Sequence, residues 1–422
     1  MNRRSLNGAA FFIPMKIYIE TYGCQMNFAD SEEMFLHLSA RGAVLTDKLE
    51  EADAVLINTC TVRDHAEHRA ISFLGRLLKW KRQNPKRIII FAGCAAERLG
   101  RKLQKRYPFL DIVAGAKSIE SFPQLLDKSG LFPVAGQSHP SAASLSAYTT
   151  IMRGCDFKCT YCIVPSVRGP VKCLPAEIIL KEVIDKAARG TKEITLLGQT
   201  VNAYRDGETS FADLLCHVSQ VPGIERVRFT SPHPLYFTHD FLDAVKHYPK
   251  IARHVHIPVQ SGSTKVLQEM KRGYTRELFL EKIRALKDCG FSVSTDIIVG
   301  FPTETEKDFE DTLSLVDEAG FMAAYCFKYS PRQGTPAAQM KLLSQNVLEK
   351  RLSILLNKVR GLADASYQAQ VGTTQEVLVE QPGKGRTSNN YWVEVNSTHP
   401  IGSMVKVVIE KAEGTLLFAR DL

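Results

Sequence analysis

Three cysteines in one short loop constrain this chain more than any other feature of its sequence. Cys155, Cys159 and Cys162 stand in a C-x3-C-x2-C spacing between Arg153 and Gly169. A structural zinc site needs four nitrogen or sulfur ligands, which usually come from paired Cys-x2-Cys turns. Three cysteines on one loop can instead hold three irons of a [4Fe–4S] cube and leave the fourth iron open. The loop therefore predicts a metal site, with half of a zinc site or three buried thiols as the alternatives.

Length and hydropathy indicate a globular protein of several domains. A chain of 422 residues with 44% hydrophobic and 23% charged residues is expected to hold two or three domains. Its longest apolar runs have the length of a strand, so we expect no membrane span. Residues 1–14 carry an apolar patch that is too short for a signal peptide, and we interpret them as a loose extension.

Cysteine usage and charge indicate the compartment and the class of partner. Ten cysteines in a chain this long do not make a small disulfide scaffold, and six of them fall at predicted loop edges. This pattern indicates metal ligation in a reducing compartment, the cytoplasm. The formal net charge of +9 favours a polyanionic partner such as RNA.

The amino-terminal third repeats one strand–helix unit three times, with a cysteine after each strand. The predicted strands are 16–21, 54–59 and 87–92, and the cysteines that follow them are Cys24, Cys60 and Cys94. Apolar strands that alternate with helices predict a parallel, flavodoxin-like sheet, whose carboxyl ends meet at one crevice. We expect the three cysteines to meet there and to hold a second three-cysteine cluster. The alternative is that they are small buried hydrophobic residues.

The central part of the chain predicts an incomplete βα barrel. A Ser-, Pro- and Gly-rich stretch forms a predicted linker over 128–146, and six strand-like runs alternate with helical patterns after it. These runs are 148–153, 193–198, 226–230, 254–258, 292–298 and 323–328. The cysteine loop follows the first strand, at the carboxyl edge where such folds carry their chemistry. The barrel with a closing helix is expected to span 147–371.

The carboxyl-terminal residues have a different pattern. An amphipathic helix is predicted over 344–370, and short alternating strands follow Gly372. About fifty residues of such hairpins predict a small β-barrel over 372–422. With the amino-terminal domain at 15–127, these ranges complete the expected domain organisation.

The cysteine loop resembles the cluster loop of the radical S-adenosylmethionine (SAM) enzymes. The resemblance implies that a [4Fe–4S] cluster binds SAM at its open iron and that Tyr161 lies beside the cofactor. Gln199, Asn202, Gln260 and Asp296, which follow or end other strands, are the further cofactor-binding candidates, although each could instead cap a helix or satisfy a turn. His233 and His256 are expected to be core or turn histidines.

The amino-terminal domain resembles that of the methylthiotransferases through Gly23 to Asn27, Asn58 to Cys60, and Gly93-Cys94. In that family the matching cysteines bind an auxiliary [4Fe–4S] cluster, which makes two clusters in all. The tail resembles the TRAM module, an RNA-binding barrel, with Gly385 to Thr387 and Tyr391-Trp392 in the expected binding face.

The resemblance implies an activity on tRNA. We expect a methylthio group to be added to carbon 2 of isopentenylated adenosine next to the anticodon, with one SAM as methyl donor and one as radical source. An electron donor such as flavodoxin or ferredoxin and a sulfur source are implied as partners. The same chemistry could act on threonylcarbamoyl-adenosine or on an aspartate of a ribosomal protein. A redox-sensing RNA-binding protein without turnover is the alternative from another class.

Two basic stretches are the candidate tRNA-facing surface. They are 79–87 and 98–106, and both are rich in lysine and arginine. Either stretch could equally be a solvated helix face.

Overall fold

Buried apolar strands alternate with helices in the first part of the chain. The structure, a computed structural model, describes residues 14–62, 64–133 and 144–422. The chain divides into two units, Met1–Ser141 and Ala142–Leu422. The predicted extension over 1–14 lies outside the described residues except for Pro14, as does most of the predicted linker, residues 134–143.

The first unit is a five-stranded parallel sheet between helices. Its strands are β1 Met15–Tyr22, β2 Ala43–Leu45, β3 Ala54–Thr59, β4 Ile88–Gly93 and β5 Ile112–Gly115, and its helices are α1 Gln25–Ser39, α2 Asp64–Gln83, α3 Cys94–Arg106 and α4 Phe122–Ser129. The strand order is β2-β1-β3-β4-β5 with parallel pairing throughout. This is the flavodoxin-like order, so the predicted fold class is confirmed. The central strands β3 and β4 are wholly buried because helices cover both faces of the sheet.

The second unit begins with the partial barrel. Its strands are β6 Ser146–Thr150, β7 Met152–Arg153, β8 Lys172–Cys173, β9 Glu193–Leu197, β10 Arg205–Asp206, β11 Thr209–Ser210, β12 Arg226–Phe229, β13 His254–His256, β14 Ser292–Val299 and β15 Ala323–Lys328. Its helices are α5 Val164–Arg168, α6 Ala176–Ala188, α7 Phe211–Ser219, α8 His239–His247, α9 Thr264–Glu269, α10 Arg276–Asp288 and α11 Glu306–Ala319. Two parallel three-stranded sheets, β12-β9-β6 and β13-β14-β15, make the wall. Each of the six predicted strand-like runs overlaps one of these six strands.

The chain ends in a small closed barrel. After helix α12, Gln345–Gln368, come β16 Thr374–Gln381, β17 Lys384–Thr387, β18 Trp392–Glu394, β19 Met404–Glu413 and β20 Leu416–Asp421. They close in the order β16-β17-β18-β20-β19. The predicted barrel is confirmed, although its strand β17, with the sequence Lys-Gly-Arg-Thr, has no apolar alternation. No helix among the described residues is long and apolar enough to cross a membrane.

A buried ionic network joins the small barrel to the amino-terminal ends of the partial-barrel strands. The Glu193 carboxylate lies 2.8 Å from Arg228 Nε and 3.3 Å from Arg386 Nη2, and Arg226 Nη1 is 3.4 Å away. Burial alone would raise the pKa of Glu193, but the charges of Arg228, Arg386 and Arg226 outweigh it and hold that pKa below its ordinary value. One carboxylate on β9 therefore offsets guanidinium charges from β12 and β17.

The loop after β17 completes this interface through backbone contacts. Arg226 Nη2 donates to the Arg386 carbonyl at 2.8 Å, and Arg228 Nη2 donates to the Thr387 carbonyl at 3.0 Å. Asn389 Nδ2 donates to the carbonyls of Arg253 and Gly290 at 3.0 and 2.8 Å. Arg226 is the first residue of β12, and Arg253 and Gly290 lie just before β13 and β14. The small barrel therefore docks on the amino-terminal end of the partial barrel.

The expected RNA-binding face on the small barrel needs a correction. Arg386 is held by Glu193 and Glu380, and its guanidinium lies over the Trp392 ring. Tyr391 is buried and shares a 2.7 Å hydrogen bond with Ser366 of α12. Arg386 thus joins the two barrels and Tyr391 joins the small barrel to α12, so neither side chain is free to bind RNA. Trp392 is partly exposed, and its place in an RNA-binding face stays a prediction.

Glu193→Gln is expected to destabilise the second unit. Removal of the carboxylate charge leaves buried guanidinium groups uncompensated, which costs about 3 kcal/mol or more and lowers the thermal midpoint by about 5 °C or more. Because the folded-state pKa of Glu193 is depressed, its contribution is present at neutral pH and is lost as the pH falls through that pKa. The matched control is Glu413→Gln, which breaks an exposed pair with Lys411. Equal midpoints for wild type and Glu193→Gln at pH 7 would contradict the prediction.

Candidate active site

The three cysteines of the first unit follow three neighbouring strands at one edge of the sheet. Cys24 caps α1 after β1, Cys60 follows β3, and Cys94 is the first residue of α3 after β4. The strand order reverses between β1 and β3, and such a switch point opens a crevice beyond the strand ends. A Cβ added to Gly23 would stand 2.7 Å from Cys60 Cβ, so the first two cysteine loops are in contact.

Two buried asparagines fix these loops. Asn58 Nδ2 donates to the Asn27 carbonyl at 2.7 Å and to Ser31 Oγ at 3.0 Å, and Asn27 Nδ2 donates to Asn58 Oδ1 at 3.2 Å. Both side chains are fully buried. They join the first turn of α1 to β3, and so they set the position of Cys24 relative to Cys60.

The residue before the third cysteine, Gly93, cannot be replaced by a residue with a side chain without strain. Gly93 has φ +91°, and a Cβ there would lie 2.2 Å from Asn58 Oδ1. The close approach brings the start of α3 against the asparagine that already holds Asn27. Cys60 Sγ in turn accepts a hydrogen bond from the Val62 amide at 3.2 Å.

The cysteine loop of the second unit is a folded turn at the carboxyl end of the first barrel strands. The Cys155 amide donates to the Gly169 carbonyl at 3.1 Å, and the Cys162 amide donates to the Cys159 carbonyl at 3.1 Å. Gly154, with φ +79°, admits no side chain because a Cβ would lie 1.9 Å from the Pro170 carbonyl oxygen. The loop therefore folds back so that Cys155 lies beside Gly169.

Arg272 is the site residue that the sequence did not reveal. Its Nη1 lies 3.5 Å from Cys159 Sγ, and its other nitrogens donate to the Tyr274 hydroxyl at 3.1 Å and the Pro258 carbonyl at 3.2 Å. The side chain is 8% exposed, so this charge acts on Cys159 with little screening by water. Nothing in the Lys-Arg-Gly-Tyr run around it predicts a contact with a loop more than a hundred residues away.

The donors fit an iron–sulfur cluster. Burial raises the pKa of the Cys155 thiol and raises that of Cys162 to about 12, so a cation must compensate their thiolate forms. The described residues contain no set of three His, Cys, Asp or Glu side chains close enough to bind one metal ion directly. Cysteines around a cube stand farther apart than ligands of a single ion because each binds its own iron. Three thiols in one loop, with Arg272 in contact with Cys159, match that donor set.

The structure places the five cofactor candidates in different settings. Tyr161 packs against the apolar cluster of Val266, Met270 and Phe301, directly within the cysteine loop. Gln199, which follows β9, has a buried Oε1 with no hydrogen-bond partner among the described residues. An unsatisfied buried acceptor is costly unless a ligand completes it, so Gln199 fits a donor such as the amino group of SAM.

Asn202 has another role. Its Oδ1 accepts from the His233 amide at 2.8 Å, and its Nδ2 donates to the His233 carbonyl at 3.0 Å. The side chain thus holds the loop after β12, as the turn alternative predicted. His233 stacks on Phe157 of the cysteine loop, and burial lowers its pKa to about 3, so it is neutral at pH 7.

Gln260 lies shortly after β13, and Asp296 lies on the adjoining strand β14. Gln260 follows β13 with φ +75°, and its amide donates to the Asp296 carbonyl at 2.9 Å. A left-handed backbone at a glutamine is strained, and such strain is concentrated at binding sites. The Asp296 carboxylate lies 3.3 Å from His256 Nε2, so the two side chains are neighbours on the same face of the strands.

The basic stretches of the first unit are partly structural. Lys81 pairs with Asp111, Arg87 lies over Trp80, and Arg98 binds Glu67. Lys79, Arg82, Lys86, Lys102, Lys105 and Arg106 are exposed. The exposed members remain the candidate tRNA-facing surface.

Comparison with known sequence families divides the chain into three parts. Residues 16–115 match the uncharacterized protein family UPF0004, residues 149–316 match the radical SAM superfamily, and residues 368–422 match the TRAM domain.

Full-length relatives carry one activity name. The chain is 43% identical to a tRNA-2-methylthio-N(6)-dimethylallyladenosine synthase of Chromobacterium violaceum, over 94% of this chain and 96% of the relative. It is 40% identical to the protein of the same name from Aquifex aeolicus, over 95% and 98% of the two chains.

Solved structures of low identity share the fold. The radical SAM methyltransferase TsrM of Kitasatospora setae, with cobalamin and a [4Fe–4S] cluster bound, superposes with a TM-score of 0.58 at 12% identity, over 77% of this chain and 74% of that one. The cobalamin-dependent SAM radical enzyme OxsB superposes with a TM-score of 0.52 at 14% identity, over 83% and 56%.

Arg272→Ala is expected to weaken cluster binding. The variant loses the charged contact to Cys159 and leaves the Tyr274 hydroxyl without its donor, and loss of such outer-shell partners costs about 10-fold or more in metal affinity. Iron content and the visible absorbance of the anaerobically reconstituted protein measure the effect. Arg284→Ala, which removes an exposed arginine, is the matched control. Full iron content in Arg272→Ala would rule out a role for this charge.

Proposed function

This chain belongs to the family of tRNA-2-methylthio-N(6)-dimethylallyladenosine synthases, and from that premise we propose its reaction. It adds a methylthio group to carbon 2 of N6-isopentenyladenosine next to the anticodon in tRNA. The observation that carries the proposal is the presence of two three-cysteine sets, each at the carboxyl edge of its own parallel sheet, in a chain that ends in a TRAM domain. An unactivated C–H bond is beyond the reach of protein acids and bases, so cofactors must carry the chemistry.

Cys155, Cys159 and Cys162 would hold the [4Fe–4S] cluster that the radical SAM family uses with SAM. Cys24, Cys60 and Cys94 would hold a second, auxiliary cluster. When bound, the clusters and SAM supply the radical, the methyl group and the site at which sulfur is held. The protein's own part is to hold and orient these groups and to exclude water from them. Buried neighbours such as Arg272 and Tyr161 fit that role.

The remaining residues suggest how SAM would be oriented. Gln199 Oε1 is available to accept from its amino group, while Gln260 and Asp296 line the neighbouring strand ends. Asn202 would act indirectly, since it positions the His233 loop that stacks on the cysteine loop. We also propose a cytoplasmic setting, with tRNA as substrate and with an electron donor such as flavodoxin or ferredoxin and a sulfur source as partners.

The function is tested by anaerobic turnover of the reconstituted protein with SAM, a reductant and isopentenylated tRNA that lacks the methylthio group. Nucleoside mass spectrometry is expected to detect the methylthio adduct on isopentenyladenosine. Deoxyadenosine without that adduct would overturn the proposed substrate and lead to assays with threonylcarbamoyl-adenosine tRNA and with the ribosomal protein. No deoxyadenosine under strong reductant would overturn the enzyme assignment in favour of a cluster-based RNA-binding regulator.

The two cysteine sets are expected to fail in different ways. Cys159→Ala should abolish deoxyadenosine formation, because the cluster at which SAM is cleaved loses a ligand. Cys60→Ala should retain part of the SAM cleavage but give no methylthio product, because only the auxiliary site is lost. Cys216→Ala, a change on helix α7 away from both sets, is the matched control. Methylthio product from Cys60→Ala would contradict the auxiliary role.

A further inference from the structure

The last two strands of the partial barrel, β14 and β15, each have a buried face and an inner face. Alternate residues of β14, such as Val293, Ile297 and Val299, are fully buried against the surrounding helices. On β15 the corresponding outward residues Ala324 and Cys326 pack against the same cluster. The other face of both strands must therefore look into the barrel, since side chains alternate along a strand.

Two large aromatic side chains stand on that inner face and are left open. Tyr325 pairs in register with Asp296, and Phe327 pairs with Ile298. Tyr325 is 58% exposed and Phe327 is 44% exposed, although neighbouring strands are closely packed. Tyr325 meets the His256 ring edge to face, with the ring centroids 5.7 Å apart. Two adjacent aromatic rings open to water inside a barrel are an unusual use of apolar surface and indicate a ligand.

The position of these rings relates them to the cysteine loop. Strands β6 and β15 are the two ends of the six-strand wall, so they flank the gap of the unclosed barrel. The cysteine loop follows β6 and β7, and the segment after β15 contacts that loop, where the Ala337 amide donates to the Thr160 carbonyl at 2.9 Å. Ile298, beside Phe327, packs in the same apolar cluster as Tyr161. The open rings and the cluster ligands therefore share one entrance.

We propose that Tyr325 and Phe327 form the platform on which the substrate base, N6-dimethylallyladenosine, stacks. The inference rests on the proposed function and adds the residues that select the base. A purine offers a flat face to an aromatic ring, and stacking on aromatic side chains is how proteins hold a base that has left its own stack. The dimethylallyl group is apolar and gains from the same surface, whereas a phosphate or an acidic peptide does not. Tyr161 is already packed within the cysteine loop, which leaves the β15 rings for the RNA.

Binding of anticodon stem-loops tests the platform without turnover. The full chain is titrated with two RNAs that differ only by the dimethylallyl group, and Kd is measured for each. Wild type is expected to bind the dimethylallylated loop more tightly. The double variant Tyr325→Ala, Phe327→Ala is expected to lose about 10-fold in affinity for the dimethylallylated loop and little for the other. Equal losses for both RNAs, or none, would overturn the platform.

Further measurements separate the explanations. Tyr325→Phe removes the hydroxyl but keeps the ring, so it should retain the discrimination between the two RNAs. Loss of the discrimination in this variant would show that the hydroxyl, and not the ring, is needed. Ile184→Ala, at a 52% exposed position on α6, is the matched control for loss of exposed apolar surface. A change in SAM affinity in place of RNA affinity would show that the rings hold the cofactor and would overturn the inference. If the wild type forms the methylthio product but the variants discriminate between the two RNAs as well as it does, the platform is overturned and the proposed function stands. If the platform variants lose that discrimination but the wild type forms no methylthio product, the proposed function is overturned and the platform stands.

Discussion

Parallel strands must all end on the same side of a sheet, because each new strand begins only after the chain has crossed back over a helix. In both units this constraint gathers loops that are far apart in sequence at one edge. It places Cys24, Cys60 and Cys94, from three separate strand–helix units, at one edge of the sheet. It also brings the loop of Cys155 close to Arg272, more than a hundred residues away. The chemistry of this chain depends on that convergence more than on any single contact.

The opposite end of the partial barrel is held by electrostatics. Glu193 at the first position of β9 is almost completely buried and receives Arg228 and Arg386. Burial lowers the pKa of Arg226 to about 10, and nearby Arg228 also lowers it, so the guanidinium charges would repel one another without the carboxylate. Because the small barrel docks at this end, it leaves the carboxyl end of the strands uncovered by its own residues. The amino-terminal end of the partial barrel thus contributes stability, and the carboxyl end carries the candidate active site.

Much of this arrangement could be predicted from the sequence. Cysteine spacing and apolar strand runs follow short-range rules, so the two parallel folds and the places of the cysteines were accessible from the sequence. Contacts that depend on the folded topology were not. Arg272 stands in an ordinary loop, and its contact with Cys159 exists only after the barrel wall has formed. The sequence favours Arg386 as an RNA-binding residue because it is a basic side chain in a small barrel. Its contact with the buried Glu193 carboxylate cannot be seen from the sequence.

Backbone strain follows the same division between the two ends. Among the described residues, the non-glycine positions with positive φ are Ser231, Gln260, Lys271 and Asn390. The first two follow barrel strands β12 and β13, and Lys271 precedes the arginine that contacts Cys159. Each such residue costs of order 1–3 kcal/mol and persists only where surrounding contacts fix it. The Ser231 carbonyl accepts from the Val201 amide, and Gln260 is bonded to β14 through both its amide and its carbonyl. A rim that carries this strain needs a rigid wall beneath it, and the buried network at Glu193 joins the strand starts of that wall.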